Sequence, residues 1–235
     1  MRQRWTEQVP SLRGDVTTLR EVAVSDVATL FTLFADPAVT EYMAPPPPTL
    51  ATFAGFVVWS HKEREAGRGL CFGIVPDAMT AAVGILQVRY TDATLSSAEW
   101  GFVLSSHFWS TGAFLDAATQ LVEFAFTTLR VERLHARITS RNRRAQAAVR
   151  RLGAWPEFTL PDTSPIGVAR DPQVMWTLRD HDWRNLPRQP RVASENVRQR
   201  IRNAVHRAQR ALLLGEAPNT VEPYPLFLFD RRRKD

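Results

Sequence analysis

An α+β fold is what this sequence predicts: a mixed central sheet flanked by helices, with a helical extension at the C-terminus. Three observations lead there. Short β-prone runs follow one another closely between residues 70 and 104. Helical periodicity comes before and after them instead of alternating strictly with them, which argues against a doubly wound parallel sheet. A polar stretch with two prolines, 180–190, then separates one last amphipathic helix from the rest.

The elements can be justified in order. Val16–Arg20 is β-prone and follows the turn-like Arg13-Gly14-Asp15. Ser25-Asp26 offers an N-cap to a helix with Val27, Leu30, Phe31 and Phe34 on one face, and Asp36-Pro37 stops it. Pro45–Pro48 form a stiff connector into a helix over Leu50–Glu65, with Phe53, Phe56, Val57 and Ser60 at helical spacing. Leu70–Val75 and Val83–Tyr90 read as strands joined at Pro76-Asp77. In Ser97–Leu104, Ala98, Trp100 and Phe102 alternate with Glu99, Gly101 and Val103. A helix over about 112–129 carries Ala113, Ala117, Leu121, Phe124 and Ala125 as its apolar stripe. Leu134–Thr139 is a strand, Asn142–Leu152 a helix ended by Gly153, and Val174–Leu178 the last clear strand. Asp180–Pro190 reads as a linker, and Glu195–Leu214 as a helix with Val197, Ile201, Val205, Ala208 and Leu212 on one face.

Two parts follow: a domain over 1–180 and an extension over 181–235. Charge divides them. The first holds 18 Lys/Arg and 18 Asp/Glu, the second 12 and 6, so the extension carries the whole surplus of +6. A polyanion-binding reading therefore belongs to the extension alone. No apolar run reaches membrane-spanning length, and MRQRWTEQVP has no apolar core of a signal peptide. One cysteine, Cys71, excludes an internal disulfide and fits a reducing cytoplasm. It lies in an apolar run, as a buried inert thiol does. His61, His135, His181 and His206 show no metal-ligand spacing, while His107 sits in a loop beside aromatic residues.

The stretch richest in chemistry is 98–126, which offers strand, turn, glycine and helix start in that order. Unpaired backbone N–H groups at such a place hold a phosphate or pyrophosphate without needing a lysine, although most turns of this kind are ordinary caps. It is neither a P-loop nor a dinucleotide fingerprint, because Gly112 is its sole turn glycine.

Four ordered segments resemble the GNAT superfamily, and more narrowly its RimJ/RimL branch of protein N-terminal-amine acetyltransferases. They are the N-terminal run from Leu12-Arg13-Gly14 to Asp36-Pro37 and Val39, Ala98-Glu99-Trp100-Gly101-Phe102, Phe108–Phe114, and 142–154. The resemblance implies a GNAT fold and acetyl transfer from acetyl-CoA to a primary amine, either a protein N-terminus or a small molecule. It implies that the backbone of Phe102, Val103 and Leu104 holds the pantetheine arm. It gives the pyrophosphate to the amides of Trp109, Ser110, Thr111, Gly112, Ala113 and Phe114. It places Asn142 at the reacting end and Glu99 as the general base, whose task is to relieve an α-ammonium of its proton. The bland alternative leaves Glu99 as a solvent-facing strand residue.

Several positions depart from the family pattern. Ser110-Thr111 replaces a Gly-Lys/Arg pair, Phe114 a small residue, and Ala145 a serine. A non-catalytic GNAT-fold binding or assembly protein is the rival reading. For the 195–214 helix three readings stand: docking on the domain or on a second subunit, lying on an anionic membrane, or following RNA such as the ribosome's.

Overall fold

The computed structural model describes residues 4–42, 47–160, 172–186 and 194–214. Eight strands form one sheet: β1 (Leu12–Arg13), β2 (Thr17–Glu21), β3 (Gly69–Pro76), β4 (Gly84–Tyr90), β5 (Ser97–Leu104), β6 (Arg133–Thr139), β7 (Trp155–Leu160) and β8 (Gln173–Arg179). The helices are α1 (Val27–Leu33), α2 (Pro37–Thr40), α3 (Leu50–Glu65), α4 (Ala113–Thr127), α5 (Arg143–Arg151), α6 (Asp180–Asn185) and α7 (Glu195–Leu214). Hydrogen-bonded neighbours run β1-β2-β3-β4-β5-β6-β8-β7. The β5–β6 pair is parallel, and the β2–β3, β6–β8 and β7–β8 pairs are antiparallel, so the sheet is mixed as expected. Among the described residues no helix is long and apolar enough to cross a membrane.

The chain divides into two compact units. The first comprises Met1–Val88, Gly101–Leu121 and Arg191–Asp235. Its β3 is buried at every position, as the unbroken apolar run Leu70–Val75 foretells, since a strand covered on both faces needs no polar alternation. α3 starts at a capping box, in which Thr49 accepts from the Thr52 amide, and lays Phe53 against Phe34 at 6.2 Å. Cys71 is buried, with Gln87 Nε2 donating to its sulfur at 3.6 Å, and burial pushes its thiol up to about 12. Native protein at pH 8 should therefore resist a thiol reagent that labels it fully after denaturation; rapid native labelling would contradict this burial.

Two side-chain carboxylates organise this unit. Asp26 does not cap α1 through its side chain. The chain enters the helix one turn earlier through a 3₁₀ turn at Val24–Asp26, and Asp26 reaches back to the amide of Ala23. It also accepts from Ala82 N at 2.9 Å and from both ends of the Arg20 guanidinium at 2.7 Å. Asp116, in the first turn of α4, accepts from the amides of Asp15, Val16 and Thr17 and from the Thr17 hydroxyl. Gly14 is required there: a Cβ on it would stand 2.3 Å from Gln120 Nε2 and 2.5 Å from Asp116 Oδ2. Asp36-Pro37 both stops one helix and starts the next, because Asp36 accepts from Ala38 N and Pro37 opens α2. The proline connector lies partly outside the described residues.

The extension's helix docks on this unit. α7 spans the residues its periodicity predicts and packs on α1 and on the 3₁₀ turn Ser106–Phe108. Ile201, Ala204, Val205 and Ala208 are buried and Leu212 is half-buried, so the apolar stripe covers the domain. Arg207 tethers it by donating to the carbonyl of His107 at 3.1 Å.

The second unit comprises Arg89–Trp100 and Val122–Pro190. In β6 the alternation Leu134, Ala136, Ile138 fills the core, and Arg133, His135 and Arg137 project from the opposite face. β7 escapes the sequence reading because Trp155-Pro156-Glu157 looks like a loop. It survives as an edge strand with a register shift between Pro156 and Phe158. The expected linker over 180–190 holds a short helix, α6, in which Asp180 pairs with Arg184 at 2.8 Å.

Candidate active site

The first group of candidate residues lies in the first unit, where the second half of β5 leads into α4. Ser105 bonds to Val83 O, and a 3₁₀ turn over Ser106–Phe108 follows. Asp36 accepts from the Ser106 hydroxyl, which fastens this turn. Ser110 takes a left-handed backbone (φ 59°), as does Gly112 (φ 100°). The first is an uncommon conformation for a residue with a Cβ and gives the turn its tight curvature.

Donors in this turn divide into two sets. The amides of Trp109, Thr111 and Ala113 are engaged internally, with Ser106 O, Phe108 O and the Thr111 hydroxyl. The amides of Gly112, Phe114 and Leu115 have no partner among the described residues, as the first turn of a helix dictates. The buried Ser105 hydroxyl, just before the turn, is likewise without a partner there. These donors suit an anion, and the pyrophosphate of a CoA thioester fits them in chemistry.

Other features crowd the same turn. Leu104 O, expected to face the pantetheine arm, accepts from the indole of Trp109 at 2.9 Å. The half-buried ring of Phe114 stands against that of Phe102, with centroids 4.6 Å apart. Phe102 is half-buried while Val103 is buried, so the alternation expected along β5 breaks after Gly101. A Cβ on Gly112 would meet Val197 of α7 at 3.1 Å. A side chain there would have to push Val197 aside by a few tenths of an ångström and adopt a strained left-handed backbone, which glycine avoids.

The second group lies on one sheet face of the second unit. Glu99 on β5 pairs in register with His135 on β6, which pairs with Thr177 on β8, so the three side chains share a face. Register between β5 and β6 runs through Ser97, Ala98 and Glu99. Both oxygens of Glu99 are held in the fork of Arg137, at 2.5 and 2.9 Å. His135 Nδ1 lies 3.0 Å from the Thr177 hydroxyl, which in turn donates to Glu157 at 2.5 Å. Burial holds the His135 imidazole below its ordinary value, and neighbouring Arg133 adds to this against the opposing carboxylates of Glu157, Glu99 and Asp92. Asn142 caps α5, its side-chain oxygen accepting from Ala145 N at 3.0 Å, which leaves its amide hydrogens as donors.

The profile of the Acetyltransferase (GNAT) domain matches residues 17–154, more than half of the chain. The chain belongs to the GNAT family. An N-acetyltransferase of Bacillus licheniformis, p20, is 26% identical over 126 residues, which cover 53% of this chain and 71% of that one. Among solved structures, Mycobacterium smegmatis RimJ in complex with CoA-disulfide is similar at TM-score 0.65 and 20% identity, covering 84% of this chain and 93% of that one. The ribosomal-protein-S5-alanine acetyltransferase of Vibrio fischeri is similar at TM-score 0.64 and 16% identity, covering 74% and 98%. At these identities the structural likeness shows the fold.

Within this GNAT fold, sequence reasoning located the strand, turn and helix that carry the candidate residues but missed Arg137, Thr177 and Glu157. The alternation in Arg133–Thr139 does place Arg133, His135 and Arg137 together on one face. Which carboxylate or hydroxyl they meet depends on cross-strand register, which the chain's local pattern does not contain.

Proposed function

We propose that the protein transfers an acetyl group from acetyl-CoA to a primary amine, with a protein N-terminal α-amine as the leading acceptor. The observation that carries this reading is the turn before α4, whose free amides at Gly112, Phe114 and Leu115 meet an anion with donors alone. The preference for an N-terminal amine draws on the RimJ/RimL-like segments and on the likeness to RimJ and to the S5-alanine enzyme.

In this reading the Trp109–Phe114 turn holds the pyrophosphate through the amides of Gly112 and Phe114, with Leu115 beside them, whereas the expected amides of Trp109, Thr111 and Ala113 are spent on bonds that shape the turn around Ser110. Arg207 supplies nearby the positive charge that Ser110-Thr111 lacks. The backbone of Phe102, Val103 and Leu104 takes the pantetheine arm, and the Asn142 amide faces the reacting end. Acetyl-CoA, when bound, supplies the acyl group, and direct attack by the amine needs no acyl-enzyme. Glu99, on the same sheet face, draws the ammonium toward it and takes part in its deprotonation. Alignment and stabilisation of the developing oxyanion account for the remaining rate.

A specific pair of observations supports a second reading, a non-catalytic GNAT-fold binding protein: Val197 lies over Gly112, and Phe114 lies on Phe102. Calorimetry with acetyl-CoA separates the two. Binding below millimolar concentration, with acetylation of an N-terminal peptide panel seen by mass spectrometry, is the expected result; no binding favours the second reading. Glu99→Gln should lower turnover by about tenfold or more while leaving acetyl-CoA affinity within twofold. Unchanged turnover would remove Glu99 from the mechanism.

A further inference from the structure

We infer that the Nε2 atom of His135 is the proton acceptor for the amine, with Thr177 and Glu157 holding the ring in the tautomer this requires. The assignment rests on the acetyl-transfer reading and deepens it.

The argument starts from hydrogen-bond direction. A carboxylate only accepts, so the Thr177 hydroxyl must donate its single proton to Glu157. Its oxygen can then only accept from His135, 3.0 Å away, which fixes the proton of the imidazole on Nδ1. Nε2 is left with its lone pair, and among the described residues it has no partner. The side chain keeps 21% of its surface, so the lone pair need not be sealed from an acceptor. Glu99, its register partner, has both oxygens already held by Arg137. One carboxylate is thus committed to a guanidinium while a neutral base with a fixed lone pair stands beside it.

Charged groups around the ring come from four strands or their flanks. Glu99 lies on β5, Arg133 and Arg137 on β6, Glu157 on β7 and Arg179 on β8, with Asp92 in the loop before β5. Burial is the largest influence and disfavours the imidazolium, so the ring is neutral and able to accept at pH 7.

The step balances. Nε2 takes one proton from the ammonium, giving a neutral amine and an imidazolium. The amine lone pair forms the N–C bond, the C–S bond breaks with its electron pair on sulfur, and that thiolate takes the second proton from the nitrogen. The imidazolium returns its proton to solvent. Thr177 and Glu157 are positioning residues in this scheme.

Nitrogen-15 NMR of the intact protein at pH 7.5 tests the tautomer without any turnover. A protonated Nδ1 and a bare Nε2 are expected for His135; the opposite tautomer, or an imidazolium, overturns the assignment. In acetylation assays of the full chain, His135→Gln should lower kcat by about a hundredfold, with acetyl-CoA affinity within twofold and loss of the acidic limb of the pH profile. That limb should fall below pH 6.5 in the native protein. Thr177→Val should lower kcat by about tenfold and disturb the tautomer signal, and Thr177→Ser should restore both. Native protein that neither binds acetyl-CoA nor acetylates any amine overturns the transfer reading and this one with it. Native protein that acetylates, with His135→Gln equally active, overturns the proton acceptor alone.

Discussion

Asp26→Ala should lower the melting temperature by on the order of 10 °C, the largest stability effect expected of any single substitution here. The carboxylate is 1% exposed, and truncation leaves the Ala23 and Ala82 amides and the Arg20 guanidinium without their shared acceptor. Breaking a fully buried pair from one side costs about 3–5 kcal/mol; Arg20 keeps 29% of its side-chain surface, so the loss here falls chiefly on the stranded amides and lies toward the lower end. Thermal unfolding checks it, and a shift within experimental scatter would show that water replaces the carboxylate at no cost. The same group gives the protein an acid sensitivity. Burial pushes the Asp26 carboxyl upward, but the Arg20 fork and the amides of Ala23 and Ala82 outweigh it, so the folded value is lowered. Its contribution is therefore complete above the ordinary aspartate value and disappears as pH falls through the lowered one. Asp26→Ala should flatten the acid limb of the stability profile accordingly.

Ile201→Asp should detach α7. Ile201 is 2% exposed at the centre of the stripe that meets α1 and the turn Ser106–Phe108. A carboxylate forced into that seam has no partner there, and undocking is the cheaper outcome. Hydrogen exchange should rise by about a hundredfold along 195–214 and in 106–112, with β3 keeping its protection. Retained protection in α7 would mean that the arginine tether and the remaining apolar contacts hold it unaided. The effect reaches beyond stability, because Val197 of this helix closes on Gly112, the glycine of the turn proposed to hold the pyrophosphate.

Reading the chain residue by residue goes far where periodicity is strong. α3 and α7 have the extents their patterns predict, since one caps at a defined residue and the other buries a defined face, and β5 has its predicted extent although its alternation breaks after Gly101. It fails at Trp155–Leu160, where Pro156 and exposed side chains erase the strand pattern and pairing with β8 alone supplies the order. It fails also at Asp26, whose local context is that of a cap while its partners stand 6 and 56 residues away.

What the sequence determined by itself is the α+β class, the strand-turn-helix that offers main-chain donors, and the apolar stripe of the extension. Those properties arise from neighbours within a few residues, where dihedral preference and spacing act. Tertiary structure alone decided that Val197 covers Gly112, that Arg137 occupies Glu99, and that Thr177 and Glu157 orient His135. Each of these joins segments far apart in the chain, through a register or a helix docking whose geometry exists only once the sheet and core have formed.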